Sequence, residues 1–317
     1  MTWTLWQPAW DRALYGESGF YRQAAGPAGH FSTATQGVPQ IGRQLAGALL
    51  RLMGQEGLDT FVDMGCGRGE LLEQIHELSP QVHCLGVDIV ARPPLSMPIG
   101  WIQSPGGEQL PDELDGLSGA LVFANEWLDV VPCPIAELDE AGELREVLVN
   151  DSAGEEQLGG PVSGTQRQWC QSFWPVEGLE TGDRVEIGRT RDLAWDNLVS
   201  RIRSGLAVAV DYGHTIDDRP AQGTMTGFRQ GRQVMPVPDG SCDLTAHVAM
   251  DSLTHDDLMD QRTALRQLGV SGRTPGLELA RSDPAAYLRS LSTASAAAAL
   301  TARGGLGDFL WAFSHAR

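Results

Sequence analysis

The sequence has no lysine: its 23 cationic side chains are all arginine, against 41 Asp plus Glu, which gives a formal net charge of −18. Without a lysine there is no internal Schiff base, no Walker A lysine and no kinase strand lysine to hold nucleotide phosphates. The acidic balance argues against a nucleic-acid backbone as the main partner, because that affinity comes from clustered basic residues releasing counterions. Long apolar runs are missing too. Gly205 to Val210 and Ala294 to Leu300 are far too short to span a bilayer, and Met1 to Asp11 lacks the cationic and apolar regions of a signal peptide. Five cysteines, Cys66, Cys84, Cys133, Cys170 and Cys242, are scattered without C-x-x-C spacing, so neither a disulfide framework nor a structural zinc is expected. A soluble, cytoplasmic protein with reduced thiols is the expectation.

With 42% hydrophobic and 20% charged residues the chain is of ordinary globular composition. Residues 3 to 25 are rich in Trp and Tyr. From about Ala34 to Met53, Val38, Ile41, Leu45, Leu49 and Leu52 recur at helical spacing. Short apolar runs then alternate with helical segments: Asp59 to Met64, Val82 to Ile89, Ile99 to Gln103, Ala120 to Ala124 and, later, Leu206 to Asp211. Such alternation predicts an α/β fold with a mostly parallel, doubly wound sheet and helices on both faces. Ile135 to Leu138 and Leu144 to Val149, joined by Glu140-Ala141-Gly142, predict an antiparallel hairpin inserted into that pattern. The expected division is an N-terminal helical segment (1–58), a first core part (59–133), an inserted hairpin and helical region (134–204), and a second core part with an alanine-rich helical end (205–317).

The strongest local signal is the strand ending in Asp63 and Met64, followed by Gly65-Cys66-Gly67-Arg68-Gly69 and a helix from Glu70 to about Leu78. Glycines permit a tight turn and close ligand approach, and the helix start offers free N–H donors. A dinucleotide site wants G-x-G-x-x-G and tolerates a pyrophosphate; here the spacing is G-x-G-x-G, and Asp63 would repel one. An acid there suits a cationic amino group, as in S-adenosylmethionine, with Asp88 placed to accept from ribose hydroxyls. A ligand-free turn and a nicotinamide enzyme are the alternatives.

Asn125-Glu126-Trp127-Leu128-Asp129 closes the fourth strand at the carboxyl edge, where open α/β sheets bind ligands. A helical turn would set Glu126 and Asp129 on one face, a pairing suited to a guanidinium; the plain alternative is an Asn cap followed by first-turn acids. Asp211-Tyr212-Gly213-His214 and Asp243-Leu244-Thr245-Ala246-His247 form two further groups. His214 and His247 can move protons near neutrality, although a lone histidine is more often structural. Trp169 and Trp174 fit either a core or a pocket wall.

Taken together, these motifs resemble the MidA-like methyltransferases, whose characterised mitochondrial member is a complex I assembly factor that methylates a protein arginine. The likeness runs from about Tyr15 to Leu268. It is carried by Tyr15-Gly16 with Gly19-Phe20-Tyr21, Gly29-His30-Phe31-Ser32-Thr33, the 63–69 loop, Asn125-Glu126-Trp127-Leu128-Asp129 with Pro132, Asp211-Tyr212-Gly213, and Asp243 to Val248. It implies a class I, Rossmann-like methyltransferase sheet, S-adenosylmethionine as cofactor, and a protein or small-molecule methyl acceptor, a respiratory complex I subunit among the candidate partners. Transferred by motif, Gly65, Gly67 and Asp88 would hold the donor, with Phe31 and Thr33 near it and Glu126 facing the acceptor; with the residues read around them, the expected cofactor set is Phe31, Thr33, Asp63, Gly65, Cys66, Gly67, Asp88, Ile89, Gln103 and Asn125. The catalytic set is Glu126, Asp129 and His247, with no metal. His30 and Gln36 replace acids of the usual early motif, which leaves open an assembly factor without transfer activity and a small-molecule methyltransferase.

Overall fold

Runs of aliphatic and β-branched residues can leave water on both faces only in the middle of a sheet covered twice, and this is where the segments ending in Met64, Ala124 and Asp211 lie, while the one ending in Gln103 forms an edge. The computed structural model describes residues 2–23 and 40–316. The chain begins with β1 (Trp3–Leu5) and α1 (Trp6–Tyr15), a 3-10 turn Phe20–Arg22 and α2 (Ile41–Glu56). It continues through β2 (Thr60–Met64), α3 (Glu70–Leu78), β3 (His83–Asp88), β4 (Gly100–Gln103) and β5 (Leu117–Asn125). Next come β6 (Ile135–Leu138), β7 (Leu144–Asn150), β8 (Glu156–Pro161), α4 (Gly164–Phe173), β9 (Arg184–Glu186), α5 (Arg189–Ser200) and β10 (Ile202–Asp211). The rest holds β11 (Gly213–His214), β12 (Thr226–Arg229), β13 (Arg232–Val234), β14 (Asp243–Thr245), β15 (Val248–Ala249), β16 (Asp257–Asp260), α6 (Gln261–Gln267), α7 (Leu277–Ser282), α8 (Pro284–Leu300) and β17 (Leu310–His315).

The central sheet is mixed, with order β16-β17-β10-β5-β2-β3-β4. All its pairings are parallel except those of β17, which runs against both β10 and β16. Period-two alternation divides the buried residues between two layers. Phe61, Phe123 and Val208 face Leu45 and Leu49 of α2 and Leu72 of α3, whereas Val62, Val122 and Ala209 face Trp195 and Leu198 of α5. Each fully buried aliphatic or aromatic side chain contributes about 1.5–3 kcal/mol. α2 stops at Gly57, whose φ of 68° is the left-handed closure that a glycine accepts without strain.

The predicted hairpin is β6 and β7, antiparallel with Ala136 opposite Glu146. Its sheet also takes in β1, β8 and β9. Packing cuts across the expected segments. Trp6 and Trp10 of α1 are buried against Ile135, Val147 and Val149 of the inserted sheet, while α2 packs on the central one. α5, placed by sequence with the inserted region, also packs on the central sheet. β17 differs from the helical C-terminal end read from the sequence: after α8 the chain returns as a strand whose Trp311 ring lies 5.8 Å from Phe123. Both faces of β17 carry buried residues, so it lacks the alternation that marks a strand. Among the described residues no helix is long and apolar enough to cross a membrane.

Candidate functional site

At the carboxyl ends of β2, β3, β5 and β10 lies a cavity of about 830 Å³. Its first wall is the glycine loop. Gly65 and Gly67 have φ of 68° and 59°, a backbone that side chains with a Cβ adopt only under strain. A Cβ at Gly65 would come within 3.8 Å of the Trp127 ring. The loop is fastened to the next strand by Asp88, whose Oδ2 accepts the Gly67 N–H at 2.7 Å and whose Oδ1 accepts the Val90 N–H at 3.0 Å. Burial lifts the Asp88 carboxyl to about 6, against the pull of those N–H groups. Asp63 is pushed well above the usual carboxylate range by burial and then by the neighbouring Asp88 and Glu70. Burial also raises the Cys66 thiol, which therefore stays protonated.

Asp63, Gly65, Cys66, Gly67, Asp88, Ile89 and Asn125 all line this cavity. Gln103 does not lie in the wall; it is exposed, and its Nε2 donates to the Ile89 carbonyl at 3.0 Å, which fixes the chain just after Asp88. Phe31 and Thr33 lie outside the described residues. An acid pair beside an open glycine turn fits a cofactor that presents a cationic amino group and hydroxyls, whose positive charge would offset the cost of ionising the buried Asp63.

The second wall is acidic and aromatic. The helical turn expected at 126–129 is absent: Glu126 has a φ of 51°, and the chain from there to Val131 is bends and turns. The reason is Asp211 at the end of β10, whose Oδ2 accepts the N–H groups of Leu128 and Asp129, both at 3.1 Å, and holds them away from helical partners. Glu126 Oε1 accepts from Asn125 Nδ2 at 3.1 Å. Asp129 Oδ2 accepts the hydroxyls of Tyr212 and, at 2.7 Å, Thr245. Burial raises the Asp129 carboxyl; those hydroxyls and Arg191 oppose the rise. Asp243 accepts the Tyr21 hydroxyl at 2.8 Å, and its carboxyl is lifted to about 8, chiefly by burial. Tyr15 donates to the Val130 carbonyl at 2.9 Å.

His247 lines the cavity, its ring 5.2 Å from that of Tyr212 and edge-on to it. Burial and Arg191 lower its pKa, so the imidazole is neutral at pH 7. His214 sits apart from the wall, its Nδ1 2.8 Å from the Arg219 guanidinium, and burial drives its pKa down to about 3. Trp169 and Trp174 belong to the core of the inserted sheet.

Sequence reasoning missed Arg191. Its guanidinium, 1% exposed, donates to the carbonyls of Val131 (3.0 Å), His247 (2.7 Å) and Asp129 (2.9 Å), and lies 5.5 Å from the Trp10 ring centre. Nothing local marks it, because Arg189-Thr190-Arg191-Asp192 reads like a solvated helix start. Tyr15, Tyr21 and Asp243 stand in motifs that were singled out without a role being given to them.

Residues 40–269 match the model of a protein family described as "Putative S-adenosyl-L-methionine-dependent methyltransferase". Among solved structures, the fold is similar to that of a COG1565 superfamily candidate methyl transferase from Burkholderia thailandensis bound to S-adenosyl-homocysteine. The two are 20% identical with a TM-score of 0.77, over 99% of this chain and 88% of that one. A second structure, of an uncharacterised COG1565 protein from the same organism, is 21% identical with a TM-score of 0.73, over 99% and 87%. No curated protein matches the chain. The family match spans well over half of the residues, and the chain belongs to this family of S-adenosylmethionine-dependent methyltransferases, with S-adenosylmethionine as its cofactor.

Proposed function

We propose that the acceptor is a nitrogen of a protein arginine side chain, and that the central sheet is the class I arrangement of a MidA-like enzyme. Strand order β4-β3-β2-β5-β10-β17-β16, with β17 alone reversed, supports the second part. The observation that carries the first is the wall facing the glycine loop, where Glu126, Asp129 and Asp243 gather with Tyr15, Tyr21 and Tyr212 in one cavity. Carboxylates so placed favour a cation, and the planar fork of a guanidinium is the cation they bind with direction.

Asp63 would hold the cofactor's amino group and Asp88 its ribose hydroxyls, while Gly65 and Gly67 let the backbone approach closely. When bound, S-adenosylmethionine supplies a methyl group made electrophilic by a positively charged sulfur. What the chain adds is placement, which in model systems is worth effective molarities of about 10⁵ M or more. A guanidinium has a pKa of roughly 12.5–13.8, so its neutral nucleophile is scarce. Glu126, fixed by its own Asn125 contact and by its N–H bond to the Val210 carbonyl at 2.9 Å, orients that group and localises its charge.

Calorimetric titration with S-adenosylhomocysteine, followed by labelled methyl transfer into a cell extract, tests this function. Glu126→Gln should bind S-adenosylhomocysteine as the wild type does and transfer about 10²-fold more slowly. An unchanged rate in that variant removes Glu126 from the acceptor site. Label found only in small molecules removes the protein acceptor.

A further inference from the structure

The three carboxylates of the acceptor wall are not equivalent. Asp129 has one oxygen taken by Tyr212 and Thr245, and its Oδ1 is sealed inside the wall. Glu126 is engaged by Asn125 and sits on a strained, left-handed backbone. Asp243 stands on β14 opposite Phe228 of β12; Tyr21 pins its Oδ1, and Oδ2 is not sealed in the wall as Asp129 Oδ1 is. The residue is 5% exposed, yet it lines the cavity.

We propose that Asp243 accepts the proton that the acceptor nitrogen must lose, an assignment that rests on the nitrogen-methylation reading above. The nitrogen lone pair forms the new bond to the methyl carbon, and the carbon–sulfur bond breaks with its electron pair left on sulfur, which becomes a neutral thioether. The proton on that nitrogen passes to Asp243 Oδ2, turning carboxylate into carboxyl, and then leaves to solvent.

The groups facing Asp243 favour this use. Tyr21 comes from the 3-10 turn and Tyr15 from α1, Asp129 and Glu126 come from the loop after β5, and the Leu244 N–H lies beside the carboxyl on β14. Burial, together with repulsion from Asp129 and Glu126, raises the carboxyl to about 8, against the Tyr21 hydrogen bond. A base of that strength is matched to proton transfer near neutrality, whereas an ordinary carboxylate is too weak.

The test compares wild type, Asp243→Asn and Tyr21→Phe by calorimetric titration with S-adenosylhomocysteine and by labelled methyl transfer into cell extract between about pH 6 and pH 9. Asp243→Asn should keep the S-adenosylhomocysteine affinity within about twofold, lose about 10²-fold in transfer, and lose the rise of rate with pH. Tyr21→Phe should move that rise to higher pH, because the bond it removes favours the ionised carboxylate. Wild-type rate and an unchanged pH profile in Asp243→Asn overturn the assignment and leave nitrogen methylation standing, as does loss of S-adenosylhomocysteine binding, which makes Asp243 a structural residue. A wild type that labels no nitrogen sinks both.

Discussion

Asp211 accepts the backbone N–H of Asp129 at 3.1 Å, and with the same oxygen that of Leu128, so the end of β10 sets the shape of the loop after β5. This is why Glu126 and Asp129, three residues apart, do not share one face of a helical turn. Asp211→Ala leaves two buried N–H groups without acceptors, each costing about 1–3 kcal/mol. A drop in thermal midpoint should therefore accompany loss of methyl transfer, while Asp211→Asn, which keeps an acceptor oxygen, should lose less of both. Equal behaviour of the two variants in a thermal melt would show that the hydrogen bonds are unimportant.

Arg191 joins two motif loops by their carbonyls and supplies a buried positive charge to an acidic wall. Hydrogen bonds to a charged group contribute about 1.5–3 kcal/mol. Arg191→Met should destabilise the fold by at least about 3 kcal/mol in urea unfolding, since three carbonyls lose one donor group. Arg191→Lys, which keeps the charge but not the fork, should fall in between.

The role proposed for Asp88 gives S-adenosylhomocysteine binding a pH dependence with a definite sign. Its carboxyl is lifted to about 6, so it is ionised at pH 7.5 and loses its charge below 6. Ribose hydroxyls donate to the ionised form, and the affinity measured by calorimetry should fall as pH is lowered through about 6. Asp88→Asn should bind more weakly, with a flatter profile; an equally steep one would assign the titration elsewhere.

Asp243 makes a matching stability prediction. Its folded pKa, about 8, lies far above that of an ordinary aspartate in an unfolded chain, about 3.9. As pH rises from about 4 to about 8 the unfolded chain releases this proton before the folded one does, and stability is lost across that window. Asp243→Asn escapes the loss, so its thermal midpoint should exceed that of the wild type by a margin that grows with pH. A margin that shrinks contradicts burial of an acid here.

Gly67→Val tests the cradle itself. A β-branched residue at a φ of 59° is strained by roughly 1–2 kcal/mol or more, and S-adenosylhomocysteine should bind at least about tenfold more weakly. Retained affinity would mean that the loop needs no glycine there.

The sheet was legible where a strand's chemistry is local. Phe61-Val62-Asp63-Met64 announces a buried strand, and the glycines after it announce a tight turn; both lie in the structure where they were read. β17 was not legible, because burial on both faces removes the alternation and its neighbour β10 lies far away in sequence. The 126–129 turn was misread as helical because its competing acceptor, Asp211, is a tertiary neighbour 82 residues from Asp129.

By itself the sequence determined the α/β class of fold and the glycine turn after Met64, since glycine backbone freedom and an acid at a strand end act within a few residues. The tertiary structure alone decided what the acids of the other wall do. Asp243 meets Tyr21 across 222 residues and Arg191 meets Asp129 across 62, and only folding brings those partners within the few ångströms at which burial and charge set a carboxyl's proton.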